Sequence, residues 1–260
     1  MTGLGRYARV LRLFDEAKSE WTVQEIAAAL DVPASTVYRS VRELLAEGLL
    51  EQAAEAQYRL GAAFVEFDRL VRATDPLYRI GTALLREVAL QARLPCVAVL
   101  ARLYGDEVMC VADATSPEGL VRTSYERGRP QPLTRGATSK VILAQVPTRR
   151  LTRLLAAPQA GAPASQAQDP AALRAELAAI RRRGYCVTHG EVDRGVVGIA
   201  APVSIPERAL AASLSLVVAA ASLDDAEERR LVPLIVSSAS LLTEQLNKDG
   251  SRPSTAPEAP

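Results

Sequence analysis

The sequence is poor in aromatic residues, histidine and cysteine. Aromatic residues make up 4% of the 260 residues, so alanine, leucine and valine must fill most of any core. His189 is the single histidine, and Cys96, Cys110 and Cys186 stand far apart without a C-x-x-C pair. Groups spaced in this way leave little for a metal site. We therefore expect isolated reduced thiols, no metal and no cofactor.

The sequence also lacks an uninterrupted apolar stretch of membrane-spanning length, and its first residues lack the apolar core of a signal peptide. The formal net charge of +1 by itself argues neither for nor against a nucleic-acid partner. A composition of 48% hydrophobic and 23% charged residues is ordinary for a soluble globular protein. We expect a cytoplasmic protein of one large or two modest domains that has no membrane partner.

The first sixty residues have the pattern of a winged helix-turn-helix. Thr22 precedes an apolar run and Glu25 follows three residues later, which is the signature of a capping box at a helix start. Pro33 suits the first position of the next helix, and Gly48 suits its end. Two short segments around a polar, alanine-rich tip are typical of a β-wing. The predicted elements are helices at 4–17, 23–30 and 33–47 and strands at 49–51 and 57–60.

After Gly61 a helical segment leads to a region in which strand and helix patterns alternate. The whole pattern indicates an α+β protein. The predicted parts are the winged helix-turn-helix at 1–61, a linker helix at 62–78, a second domain at 79–248 and a disordered tail at 249–260. In the second domain we predict strands at 97–103, 107–113, 120–124, 185–188, 196–201 and 210–218, helices at 76–88, 139–144, 148–155, 169–183 and 224–246, and a surface loop at 156–168.

The linker helix carries a row of large apolar residues, namely Phe64, Val65, Phe67 and Leu70. Such a face is more apolar than a free spacer would tolerate. We expect it to pack against a partner chain, which predicts a homodimer or tetramer. The alternative is that the helix folds back onto its own winged helix.

The third helix has the composition of a DNA-recognition helix. Its buried positions are apolar, while short polar residues and two arginines fall on or near the opposite face, where they could reach base edges and phosphates. The candidate DNA-binding residues are Ser35, Thr36, Tyr38, Arg39 and Arg42. Residues 1–60 contain seven basic and nine acidic residues, so the basic side chains must be segregated onto the DNA face. The alternative is a winged helix that binds protein instead of double-stranded operator DNA.

Several stretches, taken in order, resemble the IclR family of transcription regulators. They are 5–11 (GRYARVL), 22–30 (TVQEIAAAL), 32–39 (VPASTVYR), 58–61 (YRLG), Gly128, 132–133 (PL), Lys140, Ala144, 183–185 (RGY), 190–191 (GE) and 195–203 (GVVGIAAPV). The resemblance implies a winged helix joined by a helix to a GAF-like α/β effector-binding domain. It also implies dimers that often pair into tetramers, and repression or activation controlled by a small organic acid.

The resemblance further implies an effector pocket between the loop before the central helix and the late strands. Carried over residue by residue, the effector-binding positions are Gly136, Ala137, Thr138, Ser139, Thr188, Gly198 and Ser215. Gly198 replaces a common cysteine or serine, and Val217 replaces a frequent hydroxyl, so we expect a roomier, less polar pocket.

We predict a small carboxylate effector with an apolar or aromatic body, held by the free amide groups that begin the helix containing Lys140. The alternative is that Thr138 or Ser139 only caps that helix.

An enzyme is the remaining alternative class. A thiol–imidazole pair would require Cys186 and His189 to meet, but three residues apart on a strand they point to opposite faces. No G-x-S-x-G elbow, phosphate-binding loop or dinucleotide fingerprint is present. We therefore assign no catalytic residue.

Overall fold

The computed structural model describes residues 3–156, 169–205 and 210–250. The chain divides into two compact units, Met1–Thr74 and Asp75–Pro260, called here the N-terminal and the C-terminal unit. Of the loop predicted at 156–168 and the tail predicted at 249–260, residues 157–168 and 251–260 lie outside the described residues.

The N-terminal unit is a small helical domain with a three-stranded sheet. Its elements are α1 (Gly3–Leu11), β1 (Trp21–Thr22), α2 (Val23–Leu30), α3 (Ala34–Ala46), β2 (Leu50–Gln52), β3 (Gln57–Leu60) and α4 (Ala63–Thr74). The strands pair antiparallel in the order β1-β3-β2. The buried core consists of Val10, Ile26, Val37, Val41, Leu44 and Leu50.

The predicted capping box is confirmed. The amide of Thr22 donates to Glu25 Oε2 at 2.8 Å, and the amide of Glu25 donates to Thr22 Oγ1 at 3.3 Å. Two donors that the helix itself cannot satisfy are therefore paired across its first turn.

Two predicted helix ends in this unit are wrong. The first helix stops at Leu11 instead of residue 17, and the side chain of Asp15 accepts the amides of Ala17 and Lys18 at 2.9 and 2.7 Å. Asp side chains compete with helical hydrogen bonds in this way. Pro33 precedes α3 instead of occupying its first position, because its ψ of 139° is extended.

The two-residue strand β1 was not predicted, since so short a segment has no periodicity.

The linker helix is shorter than the predicted 62–78. Helix α4 ends at Thr74, and α5 (Pro76–Ala92) begins after Asp75, whose side chain accepts the amide of Leu77 at 2.8 Å. Proline cannot continue a helix through its own amide, so the chain starts a new, capped helix here.

The C-terminal unit is an antiparallel sheet with helices on both faces. After α5 its elements are β4 (Cys96–Tyr104), β5 (Glu107–Thr115), β6 (Pro130–Gln131), α6 (Ala137–Gln145), α7 (Thr148–Ala156), α8 (Pro170–Arg183), β7 (Cys186–His189), β8 (Val196–Ile205), β9 (Leu210–Ala219), a 3₁₀ turn (Ala220–Ser222) and α9 (Asp225–Gly250). The strand order is β6-β5-β4-β9-β8-β7.

Alternation along the strands produces two cores, one on each face of the sheet. On β4, Cys96 and Ala98 pack with the buried residues of α5 and α9. Their neighbours Val97 and Val99 pack with α6, α7 and α8. Because both faces are covered, the central strands are almost continuously buried.

Three predictions for this unit need correction. Residues 120–124 form no strand; the amide of Ser124 donates to Asp193, and its carbonyl accepts from the Gln131 side chain, so side chains replace a strand partner. Helix α9 continues to Gly250, past the predicted start of the tail at 249. Helix α6 begins at Ala137, two residues earlier than predicted, which places most of the predicted effector loop inside its first turn.

Candidate DNA-binding surface and effector pocket

The candidate DNA-binding residues lie on one side of α3. Val37, Val41 and Leu44 are buried, whereas Ser35, Tyr38, Arg39 and Arg42 are exposed and Thr36 is half-buried. Tyr38 is 59% exposed, which is unusual for a large aromatic side chain that has no other role.

Most basic side chains of the N-terminal unit are used within the unit. Arg6 and Lys18 pair with Glu43 and Glu25, Arg9 donates to a backbone carbonyl, and Arg59 of the wing pairs with Glu51 at 2.7 Å. In the described part of the unit up to β3, three basic residues have side chains without a hydrogen bond or ion pair. They are Arg12, Arg39 and Arg42. Two of these three belong to α3, so the basic charge available for phosphates is concentrated there.

The candidate effector pocket lies between the start of α6, the strands β7 to β9 and two loops. It contains about 300 Å³ of empty space including its open mouth. Five of the seven predicted effector residues line it: Gly136, Ala137, Thr138, Thr188 and Gly198. The other lining residues are Thr123, Tyr125, Gly190, Glu191, Val192, Asp193, Val196 and Val217.

The other two predicted residues, Ser139 and Ser215, are buried behind the pocket wall. Ser139 Oγ lies 3.1 Å from the hydroxyl of Tyr125, and Ser215 Oγ lies 2.9 Å from Thr138 Oγ1. In this structure they position two lining side chains. Neither Thr138 nor Ser139 caps α6, whose N-cap is Gly136.

The amides at the start of α6 are only partly free, contrary to prediction. The amide of Gly136 donates to Glu191 Oε2 at 2.9 Å, and that of Ala137 donates to Thr188 Oγ1 at 3.0 Å. Within the described ranges, the amide of Thr138 has no acceptor, whereas that of Ser139 faces the hydroxyl of Tyr125. Buried amides are nearly always paired in proteins, so the Thr138 donor is suited to a polar ligand.

A buried ammonium group lies one turn further along α6. Lys140 is 1% exposed, and its Nζ donates to Glu176 Oε1 at 2.9 Å and to Glu191 Oε1 at 2.7 Å. Burial disfavours the charged form, but the two carboxylates outweigh it and raise the pKa of Lys140 above its ordinary value. Lys140 therefore remains charged and fully paired.

The pocket wall combines a buried phenol with an apolar side. Burial raises the pKa of Tyr125 to about 12, so its hydroxyl stays protonated and can donate or accept. Val192, Val196 and Val217 line the apolar side. Asp193 is held by the amide of Ser124 at 2.7 Å.

Sequence reasoning missed the residues of the 190–195 loop as pocket residues. In the sequence, Gly190 and Glu191 stand out only as part of the family pattern. The loop itself offered a signal for a binding site, because an acidic residue between two glycines in a short loop contributes little to the pairing of the strands. Its contact with Gly136, however, spans 55 residues and leaves no local pattern.

The three thiols do not form a reactive site. All three are buried, and burial raises the pKa of Cys96 and Cys186 to about 11 and that of Cys110 to about 12. Cys186 faces the core while the His189 side chain is 68% exposed, so the two do not pair. In the described part of the chain no group of three or more His, Cys, Asp or Glu side chains could bind a metal ion.

Comparison with known proteins identifies the family. The model described as "IclR helix-turn-helix domain" matches residues 3–54, and "Bacterial transcriptional regulator IclR C-terminal" matches residues 75–243. The chain belongs to the IclR family. It is thus a DNA-binding transcription regulator with an N-terminal helix-turn-helix and a C-terminal α+β domain.

Relatives cover nearly the whole of this IclR-family chain. The "Probable HTH-type transcriptional regulator ArcR" of Halobacterium salinarum is 30% identical over 86% of this chain and 85% of its own length. An IclR regulator from Alicyclobacillus acidocaldarius is 26% identical, with a TM-score of 0.77 over 94% of this chain and 98% of its own. An IclR homologue from Microbacterium hydrocarbonoxydans, solved in complex with 4-hydroxybenzoate, shares the fold at 24% identity, with a TM-score of 0.77 over 95% and 100% of the two chains.

These relatives are transcription regulators, which favours regulation over catalysis for this chain. Among the described helices, none has both the length and the apolar character to cross a membrane.

Proposed function

We propose that this IclR-family regulator changes its affinity for operator DNA when a small organic acid with an apolar or aromatic body binds the pocket at α6. The observation that carries the proposal is the pairing of two kinds of surface in one pocket. The buried amide of Thr138, which has no acceptor, suits a carboxylate, and the valines of the opposite side suit a hydrocarbon body.

Gly198 lines the pocket without a side chain. A Cβ at this position would lie 3.4 Å from Ala137 Cβ and from Thr188 Oγ1. A larger side chain would therefore fill the space beside the two groups. The cavity itself has a volume of about 20 Å³, space for about one water molecule. The roomier pocket expected from the sequence is thus not present without a ligand, and even a compact acid must displace groups that line the pocket.

The Microbacterium homologue supports this ligand class, because 4-hydroxybenzoate joins a carboxylate to an aromatic ring. On the DNA side, we propose that Ser35, Thr36, Tyr38, Arg39 and Arg42 form the contact surface. Their exposure on α3 and the unpaired state of both arginines support this assignment.

Thermal unfolding with a panel of acids tests the ligand assignment. We expect 4-hydroxybenzoate, benzoate or short aliphatic acids to stabilise the wild type, and their uncharged amides not to. Gly198→Val should abolish the stabilisation, whereas Ser204→Val, at the far end of the same strand, should retain it. Stabilisation by the amides alone, or equal stabilisation of Gly198→Val, would contradict the proposal.

We also propose that α4 is a contact between copies of this chain. No residue of α4 is buried, and Val65 and Phe67 are 74% and 51% exposed on a face that also includes Phe64, Leu70 and Val71. Exposed apolar patches of this kind are typical of interaction sites. Phe67→Glu should weaken the dimer or tetramer in sedimentation experiments while Glu66→Gln leaves it intact. A wild type that sediments as a monomer would contradict the proposal.

A further inference from the structure

Glu191 makes the contacts at the pocket that a carboxylate ligand would make. Its Oε2 accepts the amide of Gly136 at 2.9 Å, and its Oε1 accepts the ammonium of Lys140 at 2.7 Å. A carboxylate that bridges a helix-start amide and a buried cation has two charge-favoured hydrogen bonds. The side chain nonetheless remains 29% exposed and lines the pocket.

The backbone around Glu191 belongs to a loop that covers one side of the pocket. Gly190 and Gly195 have φ values of 63° and 77°, so the loop turns at both ends through conformations that favour glycine. The side chains of Glu191 and Asp193 attach it to the start of α6 and to residues 123–124, and its backbone carbonyls at Glu191 and Gly195 accept from the Arg135 side chain and the Ala220 amide. Because Glu191 lies in a loop, its contact can be lost without unpairing a strand.

The charges around Lys140 limit what can enter. One ammonium already faces two carboxylates, Glu176 and Glu191. A third carboxylate at the start of α6 would meet strong repulsion in this poorly hydrated site. An exchange avoids that repulsion: if Glu191 leaves as the ligand arrives, the number of charges is unchanged. Lys140 also keeps Glu176 as a partner throughout.

Building on the proposed function, we propose that Glu191 is an internal competitor of the effector, and that the effector's carboxylate takes its place on Gly136 and Lys140. The free amide of Thr138 then provides an extra hydrogen bond that Glu191 does not use. Glu191 thus weakens the binding of the effector, because the effector must first displace it. When Glu191 leaves α6, the 190–195 loop that carries it moves as well.

Chemical rescue tests whether the Glu191 position binds a free anion. Glu191→Ala should lower the melting temperature, and sodium acetate should raise it again relative to the same concentration of sodium chloride. Glu176→Ala is the matched control, because it also removes a partner of Lys140 but not one that contacts Gly136. Acetate should raise the melting temperature of Glu176→Ala and of the wild type much less, because Glu191 still occupies the position there. If acetate fails to stabilise Glu191→Ala, the inference is wrong.

Calorimetric titration with 4-hydroxybenzoate and benzoate tests the competition itself. Glu191→Gln keeps the size of the side chain but loses its charge, so it should bind these acids about tenfold more tightly than the wild type. Glu176→Gln also removes one negative charge from Lys140 but leaves Glu191 on Gly136, so it should strengthen binding much less. Unchanged or weaker binding by Glu191→Gln would overturn the competition.

Failure of this inference differs from failure of the proposed function. If the wild type and Glu191→Gln bind the acids equally, the acid effector is supported and the competition is overturned. If neither binds any acid while an uncharged compound stabilises both, the acid effector is overturned and the competition with it. If only the Glu191 variants bind acids, Glu191 holds the position firmly, which supports the competition.

Discussion

Helices α3 and α6 both begin after a residue whose side chain provides no cap, yet their first turns lie in opposite surroundings. The start of α3 is exposed and is followed by Arg39 and Arg42, which have no partner in the described part of the chain. At α6 every residue from Ala137 to Ala144 is buried, and Glu191 occupies the amide of Gly136.

This difference matches the ligands that the two helices would bind. An exposed helix with free arginines suits the phosphate backbone of DNA. The backbone contacts a broad protein surface, and its counterions are released when basic side chains bind it. A buried helix start suits a small acid, which must be desolvated and must compete with groups already present. The same local feature, a helix start without a cap from its own N-cap residue, therefore supports two functions because of what packs around it.

The largest expected effect is on the α6 side. Lys140→Met would leave Glu176 and Glu191 facing each other without the cation between them. Breaking such a pair should cost about 3 kcal/mol of unfolding free energy, the lower end of the usual range, because the two carboxylates are 35% and 29% exposed. Chemical denaturation measures the loss. The exposed Arg129→Met is the control, and a loss no larger than that of the control would contradict the assignment.

On the α3 side, loss of the free arginines should weaken DNA binding by about 1–3 kcal/mol each. Arg39→Ala should relax specificity at one base position if Arg39 contacts a base edge. Arg42→Ala should weaken all sequences about equally and flatten the salt dependence. Gel-shift titrations at several salt concentrations distinguish the two outcomes.

The control for these arginines is Arg59→Ala in the wing, since Arg59 already pairs with Glu51. It should change DNA affinity much less. Equal affinities for the wild type, Arg39→Ala and Arg42→Ala would contradict the placement of the DNA-binding surface on α3.

A smaller effect is expected at α2, whose start is capped by its own Glu25. Hydrogen bonds from Lys18 and from Thr22 lower the pKa of Glu25 from its ordinary 4.5 to about 2. A carboxylate whose pKa is lowered by folding stabilises the folded state above the unfolded pKa and loses this contribution as the pH falls through the folded pKa. The wild type should therefore exceed Glu25→Gln in stability at neutral pH, and the difference should vanish as the pH falls from about 4.5 to about 2.

Trp21 fluorescence can follow this unfolding, because it is the single tryptophan of the chain and lies in the N-terminal unit. Thr22→Ala should reduce this difference only in part, because the Lys18 ammonium and the amide of residue 22 still donate to Glu25. A difference that persists at pH 2 would contradict the assigned cap.

The last prediction is that the thiols of the folded protein do not react. Cys96, Cys110 and Cys186 are buried and have raised pKa values, so a thiol reagent at pH 8 should label none of them until the C-terminal unit unfolds. Rapid labelling of the folded protein would contradict the packing of this unit.

Local patterns predicted the fold well and the pocket only in part. The Thr22–Glu25 cap connects neighbours in sequence, and it is present. Contacts between distant residues were not predictable in the same way. Nothing near Gly136 indicated that its amide would be taken by Glu191, and nothing near residue 124 indicated that Asp193 would replace a strand partner.

The central claim is that an acid in the α6 pocket controls DNA binding. Fluorescence anisotropy with labelled DNA that flanks the protein's own gene tests it directly, with and without 4-hydroxybenzoate, benzoate and short aliphatic acids. At least one acid should shift the wild-type midpoint for DNA binding by about tenfold. Gly198→Val should bind the DNA as well as the acid-free wild type and show no shift. An equal shift in Gly198→Val, or no shift of the wild type with any acid, would contradict the account.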